Sequence, residues 1–241
     1  MEVVEFEYNL NTYHFYLERK NVKNINIKVK PNLSIEVSAS QEVPLNVILQ
    51  KVKKRFQWIN KNLNYFKKSQ SMSTYEKEYV SGETFKYLGK QYRLKIIKSN
   101  EEEYVKYIKG FIYIFLKNPN NTQRKKQLLK SWYQSRSEII FKNSLNRMHS
   151  LIEKQLVEKP TIKIRSLKSR WGSCFRTKNQ IILNSDLIEA PKFCIDYVVL
   201  HELIHFKFEH HNKEFYTLLS VLMPDWKKRK QILDFDVIRE L

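Results

Sequence analysis

Cysteine is scarce: Cys174 and Cys194 are the only two in 241 residues, and they form neither a Cys-x-x-Cys pair nor a disulfide framework. That excludes a disulfide-stapled secreted scaffold and makes a reducing cytoplasm the expected setting. No segment reaches about 18 uninterrupted apolar residues, so no membrane span is expected. The opening Met1-Glu2-Val3-Val4-Glu5 is acidic and lacks the basic region and apolar run of an export signal. No internal repeat is evident. What is present is globular in character: 42% apolar residues, 13% aromatics, and length for one large core or two small ones.

Acidic residues are outnumbered, 25 against 44 Lys and Arg, for a formal net charge of +19. Two stretches carry cations and no acid, Val43 to Lys68 with seven and Thr161 to Arg176 with five. Such clustering suits a polyanionic partner, DNA or RNA, through counterion release from phosphates. The competing explanation is composition: Lys, Asn, Ile and Tyr are all abundant, as in an AT-rich coding sequence, and Lys dominates over the Arg favoured for bidentate phosphate contacts.

Residues 1–70 are expected to hold strands and then a helix. Ile25, Ile27 and Val29, then Leu33, Ile35 and Val37, alternate across Pro31-Asn32 as a hairpin. Ile48, Val52, Phe56, Ile59, Leu63 and Phe66 switch to helical spacing, predicting one amphipathic helix over 44–67, and Lys67 to Glu78 reads as a polar linker. In the second part, 71–157, strands resume over 79–116 with turns at Gly82, Gly89 and Gly110, and a helix runs from Thr122 to Val157. The third part, 158–241, is expected to contain strands Thr161 to Leu167 and Gln180 to Asn184 as a hairpin around an Arg170-to-Cys174 turn. Helices follow, the first opening on Pro191, where a missing N–H costs nothing. The edge beside that turn could take an extended substrate as an extra strand, or be an ordinary sheet edge.

His201-Glu202-Leu203-Ile204-His205 carries the chemistry. On a helix, positions four apart lie only about 40° apart, so two imidazoles can hold one metal from the same face, with Glu202 beside it. The flanks Phe193 to Leu200, Leu203, Ile204 and Phe206 are apolar nearly all the way round, which predicts a buried helix. Two imidazoles and a carboxylate are costly there unless a metal satisfies them.

For the third ligand, a regular helix would put His211 about 240° from His205, so the chain must turn after about Phe208. The 201, 205, 211 spacing equals that of HExxHxxGxxH, but Phe208 stands where that pattern has its turning glycine. His211 is favoured, with His210, Glu209 and Glu214 as competitors. Cys194 is expected in the core on the His201 face, and Cys174 offers a thiol that could approach the metal as an inhibitor.

Arg170-Trp171-Gly172-Ser173-Cys174, Ile182-Leu183-Asn184, Leu187, Pro191, Asp196-Tyr197-Val198-Val199, the HExxH block, His211-Asn212 with Phe215, and Met223-Pro224-Asp225 together resemble the YgjP-like metallopeptidase family. Ser81-Gly82-Glu83, Tyr87-Leu88-Gly89, Tyr92-Arg93-Leu94 and Trp58-Ile59 extend the resemblance over nearly the whole chain. The family is similar to SprT-like and WLM zinc proteases, whose third ligand is the histidine in an H-[N/G/S]-x-x-F context, which points to His211 while His210 keeps the choice open.

The expected fold is α+β, a β-rich N-terminal part with a C-terminal zincin-like catalytic domain around a buried HExxH helix. The expected function is a zinc metallopeptidase acting on polypeptide, with metal ligands His201, His205 and His211. Glu202 is the expected general base toward a Zn2+-activated water. Arg170, His210, Tyr197 and Tyr216 are candidate oxyanion partners, and Asp196, Glu214 and Asp225 candidate carboxylates behind the histidines. Rival readings are a metal-dependent hydrolase of nucleotides and a nucleic-acid-associated protein with a structural zinc. The latter would need a fourth protein ligand and no use for Glu202.

Overall fold

The computed structural model describes residues 2–9, 11–30, 32–73, 77–155, 158–167 and 170–236. The chain is a mixed α+β protein dividing into two compact units, 1–76 and 77–237.

In the first unit, β1 (Glu2–Tyr8), β2 (Asn11–Arg19), β3 (Asn26–Val29) and β4 (Ile35–Ala39) form a sheet of order β1-β2-β4-β3. The β3–β4 hairpin pairs Ile27 with Val37, as the alternation predicts; Pro31 at its turn lies outside the described residues. Alternate residues Phe15, Leu17, Ile35 and Val37 turn inward and are buried with Ile48, Val52, Phe56, Ile59 and Leu63. The helical period therefore marks the correct face, but the single helix predicted over 44–67 is two: α1 (Leu45–Lys54) and α2 (Phe56–Ser73), broken at Arg55, whose ψ is near 0°. α2 also runs through most of the expected linker. Ser, Gln and Met there tolerate helix, with no proline or glycine to stop it.

The second unit opens with β5 (Thr84–Tyr87), β6 (Lys90–Lys98), β7 (Tyr104–Ile108) and β8 (Phe111–Leu116), in the order β5-β6-β8-β7. Turns at Leu88-Gly89 and Lys109-Gly110 have positive φ at both residues, as two-residue hairpin turns require. The long helix α3 (Thr122–Ile152) starts on Asn121, whose side chain accepts from the Arg124 N–H at 2.9 Å. It ends at Ile152, followed by one 3-10 turn over Glu153–Gln155; the expected terminus at Val157 lies outside the described residues. Near its start α3 packs Leu129 on the sheet, and further on Phe141, Leu145, Met148 and Ile152 join the core of the HExxH region. One helix thus ties the second sheet to the site.

Around RWGSC the structure corrects the expected hairpin. β9 (Thr161–Arg165) and β11 (Gln180–Asn184) pair in parallel, and the residues read as a turn are themselves a strand, β10 (Gly172–Phe175), antiparallel to β11. Four residues beginning with glycine carry too little alternation to register as a strand. In the order β10-β11-β9, β10 is an edge. The helix α4 (Lys192–Ile204) begins after Pro191, which is the N-cap rather than the first helical residue; α5 (Lys213–Leu222) and α6 (Trp226–Asp236) follow. Gly89 rests on Pro191: a Cβ on that glycine would lie 2.6 Å from the proline Cγ.

Candidate metal centre

Apolar residues surround α4: Cys194, Ile195, Val199, Leu200, Leu203 and Ile204 are fully buried. Cys194 sits in the core as expected, its thiol 3.5 Å from the Arg229 carbonyl. This packing fixes the rotation of the helix and turns His201 and Glu202 toward a cleft of about 820 Å3. α4 ends at Ile204 with His205 as its C-cap, and a tight turn follows in which the Lys207 and Phe208 amides both bond the Ile204 carbonyl. The reversal therefore comes earlier than expected and without a glycine.

Asn212 restarts the chain as a helix. Its side-chain oxygen accepts the Phe215 N–H at 2.9 Å, capping α5 and holding His211 just ahead of the first turn. Phe215, wholly buried, lies 4.8–5.0 Å from the rings of His201, His205 and His211. Asn212 and Phe215 thus cap and floor the cluster.

The three Nε2 atoms converge: His201 to His205 at 3.2 Å, His205 to His211 at 3.1 Å, His211 to His201 at 2.9 Å. Nitrogen donors at this separation fit one shared cation with bonds of about 2.0–2.1 Å, and three imidazoles are a donor set suited to zinc. Among the described residues this is the one cluster that could hold a metal, and His210, Glu209 and Glu214 are not in it. Glu209 instead points toward Arg176, at 3.6 Å.

Burial lowers the pKa of all three histidines, that of His201 to about 3, helped by the charges of His205 and His211. Neutral imidazole is the form that ligates a metal. His205 Nδ1 lies 3.0 Å from the Phe208 carbonyl, which can only accept, so Nδ1 carries the hydrogen and Nε2 faces the cluster as a lone pair. Two of the three carboxylates weighed for that orienting role are engaged elsewhere: Asp196 accepts from Ser144 at 2.6 Å and Arg147 at 2.7 Å on α3, and Asp225 pairs with Arg229. For His205 a backbone carbonyl does the orienting, and no side-chain signal could have revealed it.

Glu202 is buried. Burial pushes its carboxyl up to about 8, opposed by the Arg170 guanidinium and by the Cys174 backbone amide, which bonds it. Gly172 makes room: a Cβ there would lie 2.7 Å from Glu202 Oε1 and 2.8 Å from its Cγ. Cys174 lies on β10 in the cleft wall with its thiol pushed up to about 12, chiefly by burial and further by Glu202. It is not among the clustered donors. Arg170 and Tyr197 line the cleft; Tyr216 is stacked between Trp226 and His211, ring centroids 5.3 and 6.0 Å away.

The model of the family "YgjP-like, metallopeptidase domain" matches residues 23–235. Two solved structures are similar over part of the chain. The metallopeptidase zymogen abylysin of Pyrococcus abyssi is 20% identical, covering 39% of this chain and 91% of its own at a TM-score of 0.35. The corresponding zymogen of Methanocaldococcus jannaschii jannalysin is 24% identical, covering 39% and 92% at 0.34. No curated protein matches the chain.

Proposed function

The chain belongs to the YgjP-like metallopeptidase family, and on that premise we propose that it cleaves peptide bonds with one zinc ion held by His201, His205 and His211. The observation that carries this is the convergence of three Nε2 atoms beside a buried carboxylate at the wall of an open cleft. Three protein ligands with no fourth among the described residues favour a catalytic site over a closed structural one.

A zinc ion there supplies Lewis acidity, polarising the scissile carbonyl and making the attacking water more acidic. Glu202 takes the proton of that water as its oxygen bonds to the carbonyl carbon, then delivers it to the amine nitrogen as the C–N bond breaks. The fixed backbone around Gly172 and the Cys174 amide hold the carboxylate where it can serve both transfers. Arg170 and Tyr197 are the cleft groups able to donate a hydrogen bond to the developing oxyanion. The free edge of β10 offers main-chain groups to an extended polypeptide, which binds it regardless of side-chain identity. The two free thiols suit a cytoplasmic setting.

Metal analysis and hydrolysis of an unfolded protein test the proposal together. Wild type is expected to carry about one zinc per chain, lost in His201→Ala, His205→Ala and His211→Ala but kept in His210→Ala. Glu202→Gln is expected to keep the zinc and lose hydrolysis by orders of magnitude. Absence of bound transition metal from the wild type removes the reading. Cleavage of nucleotides with proteins left intact would install the nucleotide-hydrolase alternative.

A further inference from the structure

We infer that the outer face of the second four-stranded sheet is a docking surface for single-stranded nucleic acid, an interaction independent of the peptidase site. Alternation along β8 sends Ile112, Ile114 and Leu116 into the core, all three fully buried, and leaves Phe111, Tyr113 and Phe115 on the other side, partly exposed. Three aromatics in succession on the face turned away from that core are not explained by it.

The registers extend the pattern across the sheet. Tyr104 of β7 lies opposite Phe115, 44% exposed, with ring centroids 4.6 Å apart and planes within 18°. Tyr113 continues the row at 6.1 Å and 20° from Phe115. Cations flank this row on both sides. From β6, Lys95 is in register with Tyr113 and sets its ammonium 4.0 Å from the Phe111 centroid, and Arg93 is in register with Phe111. From β7, Lys106 faces Tyr113 on the other flank. The nine positions of this face on β6, β8 and β7 hold three cations, four aromatic rings, two isoleucines and no acid. Among the described residues, none of those cations is in an ion pair.

Rings that accept stacking, set between charges that accept phosphate, recognise unpaired bases on a phosphodiester chain. A four-stranded sheet with surface aromatics is one of the known ways to present such a platform. Duplex is a poor fit, because its bases are already stacked and this face offers no element to enter a groove. The formal charge of +19 adds long-range attraction for the same partner.

Fluorescence anisotropy of labelled single strands of about 12 nucleotides, oligo(dT) and oligo(rU), titrated with the full chain, tests this. Binding is expected to weaken steeply between about 50 and 200 mM salt, and a duplex of equal length should bind more weakly. Lys95→Gln with Lys106→Gln, at surface positions that do not threaten folding, should lower the slope of log affinity against log salt by about 1.4. Tyr104→Thr with Tyr113→Thr should weaken binding roughly tenfold or more with the slope kept. Circular dichroism confirms that each variant is folded. No binding at low salt, equal preference for duplex, or unchanged binding in both double variants overturns the assignment. So does loss of binding only on neutralising Lys51 and Lys54 of α1. A dimer that the tyrosine variant dissociates, without oligonucleotide affinity, would assign the face to a second copy of the chain.

Discussion

The two four-stranded sheets have the same plan and opposite surfaces. In each, a hairpin leads to a strand that pairs in parallel with one two positions later, the intervening strand lying outside it: β1-β2-β4-β3 and β5-β6-β8-β7. Each buries one face under the helix that follows. The outer face of the first carries Glu5, Glu7, Glu18 and Glu36 together with His14, Tyr16 and Lys28; the nine positions of the second on β6, β8 and β7 carry tyrosine, phenylalanine, isoleucine, lysine and arginine and no acid. Repeated topology without repeated sequence shows that the chain path fixes where side chains stand while the outward positions remain free to take a function. The sheets differ also in what their helices do next. α1 and α2 close a core made only of first-unit residues, whereas α3 continues past its sheet to support α4.

That separation predicts the largest effects. Phe15→Ala and Phe141→Ala each empty a fully buried site and should cost about 3–5 kcal/mol in the unit concerned. Only Phe141→Ala should also release zinc, because Phe141 shares its core with α4. Denaturant melts paired with metal analysis check this, and equal zinc loss in Phe15→Ala would break the contrast. Within the second unit, Gly172→Ala drives a methyl into the Glu202 carboxylate and should lower kcat roughly 100-fold with zinc retained. Gly110→Ala meets open space but keeps a φ of +86°, and should cost about 1 kcal/mol of stability with turnover unchanged.

Two asparagine caps sharpen the comparison at smaller scale. Asn121→Ala and Asn212→Ala should each cost about 1 kcal/mol, yet only the second should weaken zinc binding, since Asn212 holds Phe215 and His211 in place. Competition with a chelator reads the difference. The smallest expected effect lies where the β5–β6 turn docks and the Gly89 N–H bonds the Glu189 carbonyl at 2.8 Å. Burial pushes the Glu189 carboxyl up to about 7, aided by Asp186 and opposed by Lys86 and Lys77. The folded group holds its proton more tightly than the unfolded one, so its contribution is full below the unfolded value of 4.5 and is lost as pH rises through about 7. Melting temperature should therefore fall over that window, and Glu189→Gln should flatten the trend; a profile identical to wild type would refute it.

By itself the sequence determined the faces and spacings that near neighbours along the chain set. Spacing of four put His201 and His205 on one helical face, the steps from Ile48 to Phe66 marked the buried side of α1 and α2, and alternation located the β3–β4 hairpin. Tertiary structure alone decided the rest. The parallel pairings β2 with β4, β6 with β8 and β9 with β11 join residues about 20 positions apart, and a strand's alternation reads the same whichever neighbour it takes. β10 exists because β11 offers it an edge, and His205 is oriented by a backbone carbonyl that has no residue identity to read. Likewise Gly172 is required only because α4 brings Glu202 against it, and the aromatic row of β8 is a surface only because α3 covers the other side of that strand. Periodicity fixes which side of an element is apolar. What packs against that side, and what stays bare, is settled by contacts between residues far apart in the chain.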